Sequence, residues 1–117
     1  EVVKWQDKSG LWFNVLEYPE SKLEVSGTAI FVMSIARGIN YGWLDKKTYM
    51  PVLTKAWEAL ASQVEQDGTV HNICMGTMCS EDVNYYINRP FFDDDTHGSF
   101  AVLFAGIDVY KMLNGIK

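Results

Sequence analysis

The chain has 117 residues, 48% of them hydrophobic and 14% aromatic, with 21% charged and only three prolines; that much apolar surface offsets chain entropy and excludes disordered, collagen-like and low-complexity classes. The length is that of one domain rather than two. Ten basic against fifteen acidic side chains give a formal charge of −5, and without a basic run the expected partner is not a nucleic acid.

The chain opens at Glu1 inside what reads as an ongoing element, Glu1 to Gln6, with no initiator Met and no secretory leader. That suggests a mature or excised piece and leaves localisation open. Residues 8–17 begin with the Ser9-Gly10 turn and continue as a short β-prone run, read as a turn plus one strand or hairpin arm. Tyr18 to Lys22 is a connector broken by Pro19.

The first strong helix is expected from about Ser26 to Asn40, with Ser26 as N-cap. Ala29, Ile30, Phe31, Val32, Met33, Ile35 and Ala36 make it apolar on nearly every face, and Gly38 and Gly42 bracket its end. A second helix is expected from about Thr48 to Gln66. Val52, Leu53, Ala56, Trp57, Leu60 and Val64 form one stripe, and Lys55, Glu58, Ser62 and Glu65 form the other face. Pro51 would lie in its first turn.

After the Asp67-Gly68 turn, residues 69–76 read as a short strand and residues 77–97 as an irregular polar segment. A last helix, about Gly98 to Asn114, is again apolar nearly all round, from Phe100 to Leu113. The helices therefore read buried, amphipathic, buried. Two helices apolar on every face need cover on every face, and one amphipathic partner cannot supply it. The pattern is that of a double ring with part of the ring missing or supplied by another chain. No stretch reaches the roughly 18 apolar residues of a membrane-spanning helix, so no membrane association is expected.

Several segments in register resemble a known family. Lys8–Leu16, Leu23–Phe31, Ile35–Leu44, Val83–Pro90 and Asp94–Gly98 are similar, in order, to the C-terminal third of unsaturated glycuronyl hydrolases. The resemblance points to the unsaturated rhamnogalacturonyl and glucuronyl hydrolases of glycoside hydrolase families 88 and 105. It implies an all-α fold, a partial (α/α)6 barrel with short β-hairpin segments in its loops, and a single segment over residues 1–117. It also implies an unsaturated oligosaccharide substrate left by pectin lyases, such as unsaturated galacturonyl-rhamnose.

In that family an aspartic acid protonates the enol-ether double bond, water adds at C5, and the resulting hemiketal opens and breaks the glycosidic bond, with no metal or organic cofactor. The matching acid lies upstream of the region resembled, so no catalytic residue is assigned here and no turnover is expected from this chain alone. The implied partners are the missing upstream barrel segment or a second copy. The implied location is the bacterial cytoplasm or periplasm. The alternative is a non-catalytic helical module that self-associates or binds carbohydrate without cleaving it.

The resemblance implies that inner-helix N-termini face the cleft, where free N–H groups and the helix dipole favour a carboxylate. Glu24, Ser26 and Thr28 at the first such start are therefore candidates for a substrate uronate, or else ordinary caps. Asp95 and His97 precede the last helix in the same way. Tyr86 could stack on a sugar and Arg89 could pair with a carboxylate. Trp12, on the early strand, is the best cleft aromatic, whereas Trp57 and Trp43 read as packing. Asp93–Asp95 lacks the ligand spacing of a calcium loop. His71, Cys74 and Cys79 are one ligand short of a structural zinc site, and two cysteines make no disulfide framework. A hairpin with buried thiols is the simpler reading.

Overall fold

The computed structural model describes residues 1–117. In chain order it holds β1 (Trp12–Phe13), β2 (Leu23–Glu24), α1 (Val25–Asn40), α2 (Lys46–Ala61), β3 (Ile73–Cys74), α3 (Val83–Ile87), β4 (Phe91–Phe92) and α4 (Thr96–Asn114), with 3-10 turns at Val2–Trp5 and Pro19–Ser21. Two minimal antiparallel ribbons pair Trp12 with Glu24 and Ile73 with Phe92. The strand expected over 69–76 shrinks to two residues plus a bridge from Val70 to Val64. The polar segment after it contains α3 and β4, which lack any periodicity long enough to announce them.

Each long helix begins earlier than its apolar pattern suggests, because a carboxylate opens it. Glu24 caps α1 in place of Ser26, Asp45 caps α2 and Asp95 caps α4. Pro51 consequently stands in the second turn of α2 and leaves the carbonyl of Lys47 without its helical donor. At the far end of α4, Gly115 takes the left-handed conformation at φ 64°, and Ile116 N–H returns to the Lys111 carbonyl.

α1 and α4 run side by side in the same direction. Near their starts, Asn72 accepts from Val25 N–H while its neighbour Ile73 lies against Gly98. Towards their ends, Arg37 pairs with Asp108 and Asn40 reaches the Ile116 carbonyl. α2 folds back on α1 from outside, so the three helices form an inner–outer–inner arc.

The core lies between them: Val25, Ala29, Val32, Ile35, Ala36 and Ile39 from α1, Leu53, Ala56 and Leu60 from α2, and Ala105, Val109 and Met112 from α4. Full burial of each Val, Leu, Ile or Met is worth roughly 1.5–3 kcal/mol. α1 is largely sheltered within the chain, and only Ile30 among its large apolar residues is exposed. α4 is not: Phe100, Leu103, Phe104, Ile107, Tyr110 and Leu113 are all 51–65% exposed. The expected shortage of cover therefore falls almost entirely on one helix. Trp57 packs against the core from α2 as expected, but Trp43 is 72% exposed and stacks on Tyr41 at 5.1 Å.

Candidate functional site

A half-open cavity of about 220 Å³ lies at the start of α1, walled by Phe13, Asn14, Leu16, Ser26, Ile30 and Phe31, with Trp12, Glu24 and Thr28 at its back. The two-residue ribbon places it. Trp12 turns inward and Phe13 outward, while β2 delivers the chain straight into α1. Complete ligand pockets are usually about 300–1,000 Å³, so this cavity is smaller than a complete pocket of the usual size.

Three residues expected to meet a ligand are instead committed to the protein. Trp12 is 1% exposed, its indole N–H donates to the Val2 carbonyl at 2.9 Å, and Phe31 meets its ring edge to face at 5.2 Å. It is core, not a stacking platform, because strand alternation sends it inward. Thr28 is fully buried; its hydroxyl donates to the Glu24 carbonyl at 2.6 Å and accepts from Trp12 N–H at 3.1 Å.

Glu24, 5% exposed, accepts from Ser26 N–H at 2.9 Å, the Ser26 hydroxyl at 2.8 Å, Gly27 N–H at 2.5 Å and Cys74 N–H at 3.0 Å. The anion-binding end of α1 is thus filled by the chain's own carboxylate. A second carboxylate placed there would meet like charge with no free donor. Ser26 is half-buried and lines the cavity, but its hydroxyl proton is already given to Glu24.

The other candidates sit around this wall. Asn14 joins the cavity to α3 by donating to the Tyr86 carbonyl at 2.9 Å. The Tyr86 hydroxyl is spent on Ser80, accepting from its N–H at 2.7 Å and donating to its carbonyl at 3.0 Å. Arg89 donates to the Gly76 carbonyl at 2.6 Å and its guanidinium lies 4.8 Å from the Tyr85 ring, while its Nε is buried with no partner. Its bond to Gly76 ties the start of the 76–80 loop to the segment before β4. Asp95 caps α4 and lies 2.6 Å from His97 Nδ1; neither residue lines the cavity.

Sequence reasoning missed Phe13, Asn14, Ile30 and Phe31 as walls, although the alternation beside a buried Trp12 points to Phe13. It also missed the bidentate pair in which Arg37 Nε and Nη2 donate to buried Asp108 at 3.2 and 2.7 Å. A lone aspartate in an apolar helix was its signal. Of the two thiols only Cys74 is buried, and Cys79 is exposed. Burial, then the nearby Glu24 charge, push the Cys74 thiol above its usual range, which makes it a poor nucleophile.

Residues 1–113 match the family model for Glycosyl Hydrolase Family 88. The chain belongs to that family. It is 31% identical over 110 residues to the unsaturated rhamnogalacturonyl hydrolase YesR of Bacillus subtilis, covering 94% of this chain and 30% of that protein. It is 41% identical over 71 residues to an unsaturated 3S-rhamnoglycuronyl hydrolase of Formosa agariphila, covering 59% of this chain and 19% of that protein.

Among solved structures, a possible member of glycoside hydrolase family 105 from Salmonella enterica superposes with a TM-score of 0.87 at 26% identity, over 97% of this chain and 29% of that one. A family 88 glycosyl hydrolase from Bacteroides vulgatus gives 0.76 at 28% identity, over 95% and 32%. The chain spans between a fifth and a third of the length of the curated relatives it matches. Its inner–outer–inner arc is a segment of an (α/α)6 barrel.

Proposed function

We propose that this chain forms the C-terminal part of an unsaturated uronyl hydrolase and supplies one wall of its sugar cleft. The wall is the cavity at the start of α1, with Phe13, Ile30 and Phe31 as its apolar faces and Asn14 and Ser26 as its polar edge. That position at an inner-helix start carries the assignment. The substrate class is an oligosaccharide ending in a 4,5-unsaturated galacturonyl or glucuronyl residue, by kinship with relatives named for that activity.

In this reading the acid that protonates the double bond is contributed by the rest of the ring, and no residue of this chain is catalytic. Tyr86, tied to the cavity through Asn14, orders its rim; Arg89, Asp95 and His97 are assigned to the part of the cleft beyond this cavity. The substrate's carboxylate binds away from Glu24, whose like charge repels it and which already holds the N–H groups of Ser26 and Gly27.

The remainder of the ring covers the outer face of α4 and the adjoining groove of about 600 Å³ between α2 and α4, lined by Trp57, Leu60, Val64, Leu103, Ile107 and Tyr110. That face also favours the second reading, self-association, when the chain is alone.

The test follows the ultraviolet absorbance of the conjugated double bond in an unsaturated galacturonyl-rhamnose disaccharide. The 117-residue chain leaves it unchanged; the chain combined with the upstream two thirds of a family 88 barrel abolishes it. Consumption by the chain alone overturns the absence of an acid here, and no consumption by the assembled ring overturns the reaction.

A further inference from the structure

His71 sits where the turn after α2 meets the connector into α4. Its Nε2 lies 3.1 Å from Glu65 Oε1 and its Nδ1 lies 3.1 Å from Asp93 Oδ1. Ionised carboxylates only accept hydrogen bonds, and a neutral imidazole has a single N–H. The Glu65 contact has hydrogen-bond geometry and the Asp93 contact is at ion-pair distance, so the two flanking carboxylates together favour the imidazolium, the only form with a proton for each. The three groups do not make a metal-holding cluster.

The charges facing this ring are Glu65 and Asp67 from the turn after α2 and Asp93 from the connector; Asp67 also feels the histidine's charge. Asp94 is turned away, accepting from Val70 N–H at 2.7 Å. The hydrogen bond to Glu65 first, and that to Asp93 second, hold the imidazole above its ordinary value.

What His71 fastens reaches both inner helices. Its neighbour Asn72 accepts from Val25 N–H at the start of α1 and donates its own N–H to Asp93. Ile73 lies against Gly98 in the first turn of α4, and Cys74 N–H donates to Glu24. Asp93 and Asp94 lead directly into Asp95, the cap of α4.

We propose that His71 is a proton-operated fastener, which ties the turn after α2 to the α4 connector when charged and holds the two inner-helix starts in register. Loss of the proton removes one of its two donors and leaves Glu65 and Asp93 facing a neutral ring. The linkage has a fixed sign. A histidine whose folded pKa is raised contributes stability that is complete below the unfolded pKa and disappears as pH rises through the folded one. The connector is tight in acid and loosens towards alkaline pH. This holds whatever sugar the cleft accepts.

The experiment is a pH titration of the full chain by NMR, with the His71 ring signals identified by their absence in His71→Gln, and with amide protection factors at Asn72 and Asp94 read across the same range. Support requires a His71 midpoint above that of the urea-unfolded chain, a lower midpoint in both Glu65→Gln and Asp93→Asn, and protection falling about two- to fivefold above the midpoint. The step in protection is gone in His71→Gln. A midpoint at or below the unfolded value, carboxylate variants that leave it unmoved, or protection that does not change through it each overturn the fastener.

Discussion

Replacing Glu24 with alanine removes acceptors from four donors at once, and the structure lets the cost be assembled. Ser26 N–H and Gly27 N–H lose their cap at the start of α1, a loss typically of about 0.5–2 kcal/mol. Cys74 N–H, within a buried strand, is left without its partner, which adds about 1–3 kcal/mol for a stranded donor. The total is roughly 3 kcal/mol, a large share of the ~5–15 kcal/mol that stabilises a domain.

Glu24→Gln keeps one acceptor oxygen but turns an NH2 group on Ser26 or Gly27, donor against donor, and costs less, about 1–2 kcal/mol. Urea unfolding of both variants, followed by circular dichroism and tryptophan fluorescence with an unchanged m-value, measures the two numbers. A loss below about 1 kcal/mol for the alanine variant, or a glutamine variant as unstable as the alanine one, would refute Glu24 as the cap of α1. A Glu24→Gln protein of native stability that binds sugar differently would return Glu24 to the ligand's side.

Further outcomes follow from particular contacts. Arg37→Ala is more destabilising than Asp108→Asn in thermal unfolding, because it strands a buried carboxylate, whereas the asparagine variant leaves a half-exposed guanidinium that water can solvate; the reverse order would contradict this. Gly98→Ala destabilises by about 1–3 kcal/mol despite the gain in helix propensity, since the new Cβ would lie 2.6 Å from three side-chain atoms of Ile73, and Ile73→Ala in the same chain restores part of the loss. A thiol reagent at neutral pH labels exposed Cys79 and spares Cys74 until the chain is unfolded; equal labelling rates in the folded protein would show the hairpin to be open.

What could be read from the residues differs between fold and site for a physical reason. Helix type and order follow from periodicity summed over three to five turns, so α1, α2 and α4 were legible, and so was a scarcity of cover, although the pattern assigned it to α1 as well as to α4. Helix starts were not, because capping depends on one side chain. Glu24 looks like a strand residue beside the better-known cap Ser26, yet its longer side chain alone reaches Ser26, Gly27 and Cys74 together. The cleft residues fail for a related reason: polarity and aromaticity mark what a side chain could touch, not where it points. Trp12 and Thr28 have the chemistry of sugar contacts and are buried at the back of the cavity; Phe13, which nothing in the apolar pattern singled out, and Ile30, one of the apolar residues of α1, form its walls. One residue of alternation along β1 decides which of the first pair faces out.

The contrast between α1 and α4 is the strongest physical link between this arc and a complete ring. Both helices are apolar nearly all round, but α1 is enclosed by α2, α4 and the two ribbons, whereas α4 has α1 on one flank and a groove on the other. Six large apolar side chains of α4 remain more than half exposed. Burying the remainder of each is worth roughly 1 kcal/mol or more, so an element that covered the whole face would gain on the order of 5 kcal/mol or above. A 19-residue helix carries no charged side chain on that face except Lys111 at its end, which is the composition of a surface shaped to be covered by another apolar surface. Within an (α/α)6 barrel the elements that meet such a face are the neighbouring inner helix and the next outer one. On the proposed function, the ring closure that stabilises α4 also completes the cleft beside α1, so stability and sugar binding are expected to be gained in a single step.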